Sequence, residues 1–410
     1  MSNVIPDTMR ASIVQEGGKV AVQEVPVPVL KSNEILVKVY AVAQNPTDWK
    51  KPGTIIGVDF SGIVAKLGDD VSNVKIGDHV SGFTHGGYYT DYGAFAEYTK
   101  VESDFVWIVP PGTVTHEEAA TMNCGVFTVI QAFYHPSRLG LPNPPTPPTG
   151  KWFFVYAGST SVGLYAIQFA RLSGFKVVTV ASPRNHKLVT DFGADAYKDP
   201  DVVEKIRNVT GNSIQLALDT NADETSQLLT VRTFGPEGGH LIVILPPREA
   251  AVKERPDVKI QFTLLYTALG REFSWPSTTF PAAPEDRAHQ IVSLVKFSEL
   301  VKAGYIRPNP VKIWEGGLEA VQEGFDYMRE GKLGARYKFE IHSNVTQLSQ
   351  PCQAILASKT SRKYPSEGIQ WHTTESTARD SSAEVVKEND DIQIDPTPDY
   401  FAMLTVTVVS

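Results

Sequence analysis

Apolar and polar positions divide this chain into a strand-rich first part and a second part in which strands and helices alternate. Residues 10–40 alternate between apolar and polar positions, with Gly17, Gly18, Pro26 and Pro28 as interruptions, which predicts short antiparallel strands joined by turns. The clearest strand is LVKVYAV at residues 36–42. Glycine-rich β patterns continue through GVDFSGIVAKLG, KIGDHVSGF and YGAFAEY as far as residues 110–112. We therefore predict a barrel-like β module rather than a βα repeat.

Residues 151–179 combine a strand, a turn, a helix and a second strand. The apolar run WFFVY at residues 152–156 is unbroken, which is typical of a strand buried on both faces of a parallel sheet. Gly158 ends this run. From Ser161 onward Val162, Tyr165 and Phe169 recur at helical spacing, and a second apolar strand begins at Lys176.

Strand and helix patterns keep alternating as far as residue 265, which predicts a doubly wound parallel sheet with crossover helices. The predicted strands are 177–181, 196–197, 214–218, 240–245 and 259–265, and the predicted helices are 116–120, 124–133, 184–193, 202–209 and 224–232. A long helix at residues 285–303 follows, with an inner stripe of Ile291, Leu294, Val295 and Val301. Strands at 312–314 and 336–341 flank a helix at 318–329 and return the chain to its first module.

These patterns predict an α/β protein. Residues 1–120 form the first part of a β-rich domain, residues 121–285 form the doubly wound domain, and residues 286–341 return to the first domain. Residues 342–410 lack sustained periodicity and hold five Lys/Arg against nine Asp/Glu. We interpret them as a disordered tail or a gene-model extension, with no function assigned.

Charge and composition exclude several classes of function. The formal net charge of −8 over 410 residues leaves no basic face for a phosphate backbone, so we expect no nucleic acid partner. The start MSNVIPDTMR has no apolar core of signal-peptide length, and no apolar stretch is long enough to cross a bilayer. We therefore expect a soluble cytoplasmic protein. Two cysteines, Cys124 and Cys352, cannot form a disulfide framework or a thiolate zinc site.

The turn at residues 157–163 (AGSTSVG) carries the first chemical signal. Backbone N–H groups at the start of a helix carry partial positive charge and bind a pyrophosphate that can approach them. Gly158 permits that approach, Ser159 and Thr160 add hydroxyl donors, and Gly163 allows the helix to pack closely on the strand. The spacing is not the strict G-x-G-x-x-G fingerprint, and an ordinary βα turn remains the alternative.

The end of the next strand favours NADPH over NADH. A carboxylate at this place would accept from the adenosine ribose and repel a 2′-phosphate, but no acid occurs here before Asp191. Ser182 and Asn185 can donate hydrogen bonds, and Arg184 and Lys187 supply positive charge. The alternative is that both cations belong to the solvated face of the next helix.

Histidines do not form a metal-ligand pattern. His79 and His85 lie in glycine-rich stretches without a Cys or His at close interval, so we expect surface or structural roles for both rather than zinc ligation with Cys124.

Several stretches together resemble the medium-chain dehydrogenases/reductases, over roughly residues 10–341. They are GVDFSGIVAKLG, KIGDHVSGF, YGAFAEY, VYAGSTSVGLYAIQFARLSG and FGADAYKD. The resemblance implies a GroES-like catalytic domain paired with a Rossmann domain. Where the zinc alcohol dehydrogenase branch has its first cysteine ligand this chain has Asn45, and where that branch has Gly-His-Glu it has Gly57, Val58 and Asp59. Only Cys124 matches a ligand position, so we expect no metal.

Four further stretches resemble the trans-acting enoyl reductases of fungal polyketide synthases: NPTDWK, ASPRNH, YTALGREF and RPNPVKIWEGGLEAVQEGFDYMREGK. The resemblance implies NADPH-dependent reduction of an α,β-unsaturated thioester on the acyl carrier domain of a polyketide synthase or a hybrid with a non-ribosomal peptide synthetase (PKS-NRPS). This chain departs from the family in its tail and in the short segment between Trp49 and Gly57.

The same resemblance implies roles for individual residues. The catalytic candidates are Lys50, which offers an ammonium group, and Thr128, which offers a hydroxyl. The alternatives are a solvated loop lysine beside Lys51 and a helix-packing threonine. Cofactor contacts are expected from Thr47, Asp48, Lys50, Ser159, Thr160, Ser161, Val162, Ser182, Pro183, Arg184, Asn185, Tyr197, Ile244, Leu245, Leu333 and Gly334. The acyl channel is expected to be lined by Met122, Asn123, Cys124, Gly125, Val126, Phe127, Thr128, Tyr266, Thr267, Ala268, Leu269 and Gly270. Lys50, a water or Tyr266 could each protonate Cα.

Three functions remain open from the sequence. The first is enoyl reduction in trans on a carrier domain, and the second is a stand-alone quinone or enone reductase. The third is a catalytically inactive nucleotide-binding or scaffold protein.

Overall fold

The computed structural model describes residues 4–48, 52–197, 201–275, 278–330 and 404–408. All of them belong to one of the chain's two compact units, Met1–Ala335 with Tyr400–Ser410. Lys50, Leu333, Gly334, Cys352 and the strand predicted at residues 336–341 lie outside the described residues.

Strands and helices alternate from residue 152 to residue 262, as the sequence predicts. The strands are β1 (Thr8–Val14), β2 (Val20–Pro26), β3 (Glu34–Gln44), β4 (Asp59–Leu67), β5 (His79–Phe83), β6 (Tyr98–Glu102), β7 (Val106–Ile108), β8 (Trp152–Tyr156), β9 (Lys176–Val180), β10 (Asp195–Tyr197), β11 (Leu216–Asp219), β12 (Gly239–Val243), β13 (Val258–Phe262), β14 (Phe273–Trp275), β15 (Thr278–Phe280), β16 (Val311–Trp314) and β17 (Leu404–Val408). The α-helices are α1 (His116–Ala120), α2 (Asn123–Tyr134), α3 (Ser161–Leu172), α4 (His186–Asp191), α5 (Val202–Thr210), α6 (Glu224–Arg232), α7 (Glu249–Glu254), α8 (Pro284–Lys302) and α9 (Val321–Arg329).

The first module is the predicted β-rich domain. Its main sheet has the strand order β16-β17-β3-β4-β5-β7, and β6 also pairs with β3. The central strand β3 alternates buried and exposed positions over part of its length, so that Val37 and Val39 enter the core while Lys38 and Tyr40 face outward. Antiparallel pairing of β3 with β4 and β6 buries that apolar face.

One strand of this sheet comes from the segment that we expected to be a disordered tail. Leu404–Val408 (LTVTV) forms β17, which pairs in parallel with β16 and antiparallel with β3. The alternation of apolar and threonine positions over five residues is a strand pattern. It was missed because the surrounding composition is polar and acidic.

The second module is the predicted doubly wound domain. Its six strands are all parallel, in the order β10-β9-β8-β11-β12-β13. Phe153 and Val155 of β8 pack into one core and Phe154 into another, which confirms a strand buried on both faces. The strand order reverses between β8 and β11, and ligands of open α/β sheets bind at the carboxyl ends of the strands flanking such a reversal.

Helix α8 presents a different face from the one that we predicted. Leu294 and Val301 are buried as expected, but Val295 is 65% exposed. The inner face instead contains the polar residues Asp286 and Gln290. Hydropathy misplaced the stripe because it assigns buried polar side chains to the solvent.

Two elements at the end of the second module are absent from the sequence prediction. The strand expected at 259–265 ends at Phe262, and a 3₁₀ helix at Leu265–Leu269 follows. Gly270 ends that helix with φ 75°, a conformation that favours glycine. The hairpin β14–β15 comes next.

Candidate active site

The turn between β8 and α3 has the geometry of an anion site. Thr160 is the N-cap of the 12-residue helix α3, and its Oγ1 accepts a hydrogen bond from the backbone N–H of Gly163 at 2.9 Å. The first N–H groups of a helix have no partner within it, so those of Ser161 and Val162 can bind an anion. This arrangement fits the pyrophosphate of a dinucleotide.

The glycines of the turn are required by the protein itself. A Cβ on Gly158 would lie 2.1 Å from Oγ1 of Thr179 in β9, and one on Gly163 would lie 2.5 Å from the carbonyl oxygen of Ala157. The close approach at Gly158 is therefore between the turn and β9. The hydroxyl of Thr160 is also engaged, at 2.8 Å from Oγ1 of Thr220.

Two segments remote in sequence hold the start of α3. The side-chain amide of Asn309 donates to both the carbonyl oxygen and Oγ of Ser161, each at 3.2 Å. A Cβ on Gly125 of α2 would lie 3.1 Å from Oγ of Ser161 and 2.8 Å from the ring of Tyr165, so α2 packs tightly against α3 here. Asn309 was not among the predicted site residues, because no local pattern marks it.

The residues expected around the adenosine lie together at the ends of β9 and β10. Pro183–Asn185 forms a 3₁₀ turn, and the backbone N–H of Ala181 donates to the carbonyl oxygen of Tyr197 at 3.2 Å. Among the described residues Nδ2 of Asn185 is buried without a partner, and exposed Arg184 has no ion pair. These groups are available to a phosphate.

Lys187 is engaged differently from Arg184. Its ammonium group pairs with Asp191 one helical turn away, at 2.9 Å on the surface. Its predicted alternative, a cation on the solvated helix face, is therefore the arrangement that the structure shows.

The expected nicotinamide neighbours lie on the same edge of the sheet. Ile244 and Leu245 directly follow β12, the second strand after β8 in the sheet order; Ile244 is half-buried and Leu245 is exposed. Asp48, four residues after the end of β3, accepts from the backbone N–H of Asn45 at 2.7 Å.

Asn45, Asp59 and Cys124 come together at the place where the resemblance to zinc alcohol dehydrogenases would put the metal ligands. The side-chain amide of Asn45 donates to Oδ2 of Asp59, and the backbone N–H of Cys124 donates to Oδ1, both at 3.0 Å. An amide donor therefore faces the carboxyl group, and Val58 offers no ligand. Among the described residues no group of three or more His, Cys, Asp or Glu could hold a metal ion. The residues at this place do not fit zinc.

Burial perturbs two ionisable groups beside this cluster. It raises the pKa of Asp59 well above the ordinary value, with nearby Asp48 acting in the same direction and the hydrogen bond from Asn45 opposing it. Burial also raises the pKa of Tyr266 well above 10, the neighbouring Thr47 hydroxyl opposes that rise, and Cys124, Asp48 and Asp59 add to it. Tyr266 therefore lies next to Thr47 and Asp48, two of the expected cofactor contacts.

Helix α2 brings few of its predicted channel residues to an open surface. Met122, Val126 and Phe127 are fully buried core residues. The carboxamide of Asn123 is anchored to the first module, donating to Oγ of Ser81 at 3.0 Å and accepting from Nε1 of Trp107 at 2.8 Å. Its side chain is therefore directed into the protein.

Thr128 is tied to its own helix. Its hydroxyl donates to the carbonyl oxygen of Cys124 at 2.7 Å, which is the common bond of a threonine to the preceding helical turn. It lies one turn beyond Cys124, which is only partly buried.

Of the predicted stretch 266–270, Tyr266 alone is directed at this cluster. Ala268 and Leu269 are core residues. The Thr267 hydroxyl donates to Asp286, which also accepts from Gln131 at 2.9 Å and pairs with His135 at 3.2 Å. Asp286 thereby fixes the 3₁₀ helix of Tyr266 against α2 and α8.

An aromatic cluster beside Tyr266 was missed by the sequence analysis. His85 is 2% exposed, and its ring lies 4.7 Å from that of Tyr88, 4.9 Å from Tyr266 and 5.6 Å from Phe273. The backbone N–H of Ser274 donates to the Tyr88 hydroxyl at 3.1 Å. His85 is therefore structural and not a surface residue, and the motif HGGYYTDY was the signal available in the sequence.

In the part of the chain that the structure describes, no helix has the length and hydropathy needed to span a membrane.

Comparison with protein-family models identifies both modules. Residues 31–111 match the alcohol dehydrogenase GroES-like domain, and residues 161–282 match the model described as zinc-binding dehydrogenase. Among curated proteins, the chain is 36% identical over 349 residues to the trans-enoyl reductase ACTTS2 of Alternaria alternata, covering 82% of this chain and 99% of that protein. It is 35% identical to the trans-enoyl reductase mycC of Thermothelomyces thermophilus, covering 76% of this chain and 90% of the relative.

Solved structures share the fold at lower identity. The CurK enoyl reductase matches with a TM-score of 0.64 at 19% identity, covering 80% of this chain and 97% of that one. An alcohol dehydrogenase superfamily protein from Novosphingobium aromaticivorans matches with a TM-score of 0.64 at 21% identity, covering 79% and 95%. The paired GroES-like and Rossmann domains, with the sustained identity above, show that the chain belongs to the medium-chain dehydrogenase/reductase superfamily and, within it, to the trans-enoyl reductases.

Proposed function

We propose that this protein is an NADPH-dependent enoyl reductase that acts in trans on an α,β-unsaturated acyl thioester. The thioester is carried by the acyl carrier domain of a polyketide synthase or a PKS-NRPS hybrid in secondary metabolism. The observation that carries the proposal is the 36% identity to a trans-enoyl reductase over 99% of that relative's length. The geometry of the α3 turn, next to a cluster built by both domains, supports it.

Membership of the superfamily implies a nicotinamide cofactor, and we infer that it is NADPH. When bound, NADPH supplies the hydride for Cβ of the substrate. Exposed Arg184 and the buried amide nitrogen of Asn185 offer a cation and a donor to the 2′-phosphate, together with Ser182, Pro183 and Tyr197. The pyrophosphate lies on Ser159, Thr160, Ser161 and Val162.

The remaining residues orient the ring and the substrate. Thr47, Asp48 and Lys50 contact the nicotinamide ribose. Ile244 and Leu245 lie beside the nicotinamide ring. Leu333 and Gly334 contact the cofactor at the edge of its binding site. Lys50 supplies a positive charge that stabilises the enolate formed after hydride transfer. Thr128 can donate its hydroxyl to that enolate only after releasing the carbonyl oxygen of Cys124.

A rate assay tests the proposal. NADPH oxidation is measured with an enoyl pantetheine thioester, with the same acyl group on a carrier domain, and with a small quinone. We expect turnover of both thioesters, with higher kcat/KM on the carrier domain, and little turnover of the quinone. Preference for the quinone would indicate a stand-alone quinone or enone reductase. Nucleotide binding without any turnover would indicate an inactive paralogue.

A cellular assay tests the partner. The chain is co-expressed with a synthase whose own reductase domain is inactive, and the mass of the product is measured by mass spectrometry. The expected result is a gain of two hydrogens, one on each carbon of a single double bond. An unchanged product mass, with both proteins expressed, would contradict action in trans on that synthase.

A further inference from the structure

The hydroxyl of Tyr266 lies where the two domains meet at the candidate active site. Tyr266 belongs to the 3₁₀ helix after β13, whereas its neighbours Thr47, Asp48 and Asp59 belong to the first module. Among the described residues Oγ1 of Thr47 is buried without a hydrogen bond of standard geometry, yet the Thr47 hydroxyl is near enough to that of Tyr266 to lower its pKa. The Tyr266 hydroxyl thus lies among groups of the first module, at the place where we expect the substrate carbonyl.

The ring of Tyr266 is held on several sides. Phe83 meets it edge-on at 5.3 Å, His85 lies at 4.9 Å and Phe273 at 5.9 Å. The adjacent Thr267 is bound to Asp286. A donor fixed in this way pays little reorganisation on binding, which is the condition for strong stabilisation of a developing charge.

Tyr266 stays protonated over the working pH range. Burial and the acidic neighbours Asp48 and Asp59 raise the pKa of its hydroxyl, because they disfavour a second negative charge in the site. A neutral phenol donates a hydrogen bond without losing its proton. Thr128 is less available, because its hydroxyl hydrogen is directed at the carbonyl oxygen of Cys124.

We propose that the Tyr266 hydroxyl donates a hydrogen bond to the thioester carbonyl oxygen and stabilises the enolate in the reduction. This inference rests on the proposed function. In the step, the hydride that NADPH supplies forms the Cβ–H bond. The π pair of the Cα=Cβ bond then forms a double bond between Cα and the carbonyl carbon, the π pair of the carbonyl moves onto its oxygen, and Tyr266 keeps its proton. The proton that Cα then gains comes from water. Tyr266 and Lys50 thus both stabilise the enolate, and Tyr266 is the donor that the second module contributes.

The test compares Tyr266→Phe with Tyr134→Phe. The first substitution keeps the ring and removes the hydroxyl from the site. The second removes an equally buried hydroxyl that is bonded to Oγ of Ser173 at 2.8 Å, remote from the cluster. We expect Tyr266→Phe to lower kcat with an enoyl pantetheine thioester roughly 100-fold, as for loss of one oxyanion donor, with unchanged NADPH affinity. Tyr134→Phe should keep kcat within about twofold.

A spectroscopic measurement separates this role from a structural one. The infrared carbonyl stretch of a carbonyl-¹³C-labelled saturated thioester is recorded bound to the protein with NADP⁺. We expect a shift to lower frequency in the wild type that is reduced in Tyr266→Phe and retained in Tyr134→Phe. Equal stretches and equal kcat in the wild type and Tyr266→Phe would overturn the inference. Absence of turnover in the wild type would instead overturn the proposed function.

Discussion

The side-chain amide of Asn45 donates a hydrogen bond to the buried carboxyl group of Asp59, with 3.0 Å between Nδ2 and Oδ2. The other oxygen of Asp59 accepts from the backbone N–H of Cys124 at 3.0 Å. One carboxyl group therefore joins the end of β3, the start of β4 and the start of α2. These bonds fix the positions of Thr47 and Cys124, the neighbours of Tyr266.

Breaking the Asn45–Asp59 bond is expected to destabilise the fold. Asn45→Ala leaves a buried carboxyl oxygen without its donor, which costs about 1–3 kcal/mol. Asp59→Ala removes the acceptor of the Cys124 N–H and leaves the amide of Asn45 with its bond to the carbonyl oxygen of Ala43, at 3.3 Å. The double variant should lose less than the sum of both, by about 0.5–3 kcal/mol, because each change removes the same bond. Urea unfolding measures the free energy of unfolding of the two single variants and the double variant, provided that the m value stays constant.

The control for this cycle is Asn208→Ala at an exposed position on α5, expected within about 0.5 kcal/mol of the wild type. Strict additivity of Asn45→Ala and Asp59→Ala would contradict the direct contact.

The N-cap of α3 is expected to matter for both stability and cofactor affinity. Thr160→Ala removes the bonds to Gly163 and Thr220, which should cost about 1 kcal/mol and raise the Kd for NADPH roughly tenfold. Thr115→Ala removes the cap of α1 and should cost a similar stability with unchanged Kd. Thermal unfolding and fluorescence titration give the two quantities. Equal Kd values in both variants would place the dinucleotide elsewhere.

Arg184 is expected to select the phosphorylated dinucleotide. Arg184→Ala should raise the Kd for NADPH about 10- to 100-fold, the loss of one charge-assisted bond, and leave the Kd for NADH unchanged. Lys187→Ala is the matched control, because that cation already pairs with Asp191 on the surface. Titration of each variant with both nucleotides tests this. An equal increase of the Kd for NADH in Arg184→Ala would contradict a contact between Arg184 and the 2′-phosphate.

The first module is expected to lose stability in acid through His79. Its Nε2 lies 2.8 Å from Oγ of Ser61, which is also 3.0 Å from Nδ1 of His116. Burial, and secondarily His116, lowers the pKa of His79 to about 3. As pH falls from about 6.5 towards 3, the unfolded chain binds a proton that the folded one does not, so stability falls by at most about 1.4 kcal/mol per unit.

The variant His79→Gln should show a weaker loss over this interval, with no difference in slope above pH 7. The free energy of unfolding at pH 7.5, 6.5 and 5.5, compared between wild type and variant, measures it. Parallel curves would mean that His79 is not the group responsible.

The second module could be predicted from local sequence patterns, whereas contacts between residues distant in the sequence could not be predicted. One apolar run and one helical spacing predict the unit β8-α3-β9, and both are short-range features of the sequence. The bond from Asn309 to Ser161 joins residues 148 positions apart, and no local pattern marks it. The inner face of α8 was misplaced because Asp286 and Gln290 are polar but buried.

The hydrogen-bond partners of the candidate site residues could not be predicted from the sequence. The sequence named Asn123, Thr128 and Thr267 as channel residues, but their hydrogen bonds to Ser81, Cys124 and Asp286 are directed into the protein. Hydroxyl and amide groups look the same in a sequence whether they face a ligand or a neighbouring element. Tyr266 was named in the same stretch, and its role at the active site stays a prediction.

Transfer of deuterium tests the central claim most directly. The purified protein is incubated with an enoyl pantetheine thioester and NADPH stereospecifically deuterated at C4, using each of the two isotopomers, and the product is analysed by mass spectrometry and NMR. We predict that one isotopomer places a single deuterium at Cβ, while Cα gains hydrogen from water. A thioester recovered unreduced, or a reduced product without deuterium at Cβ from either isotopomer, would contradict the account.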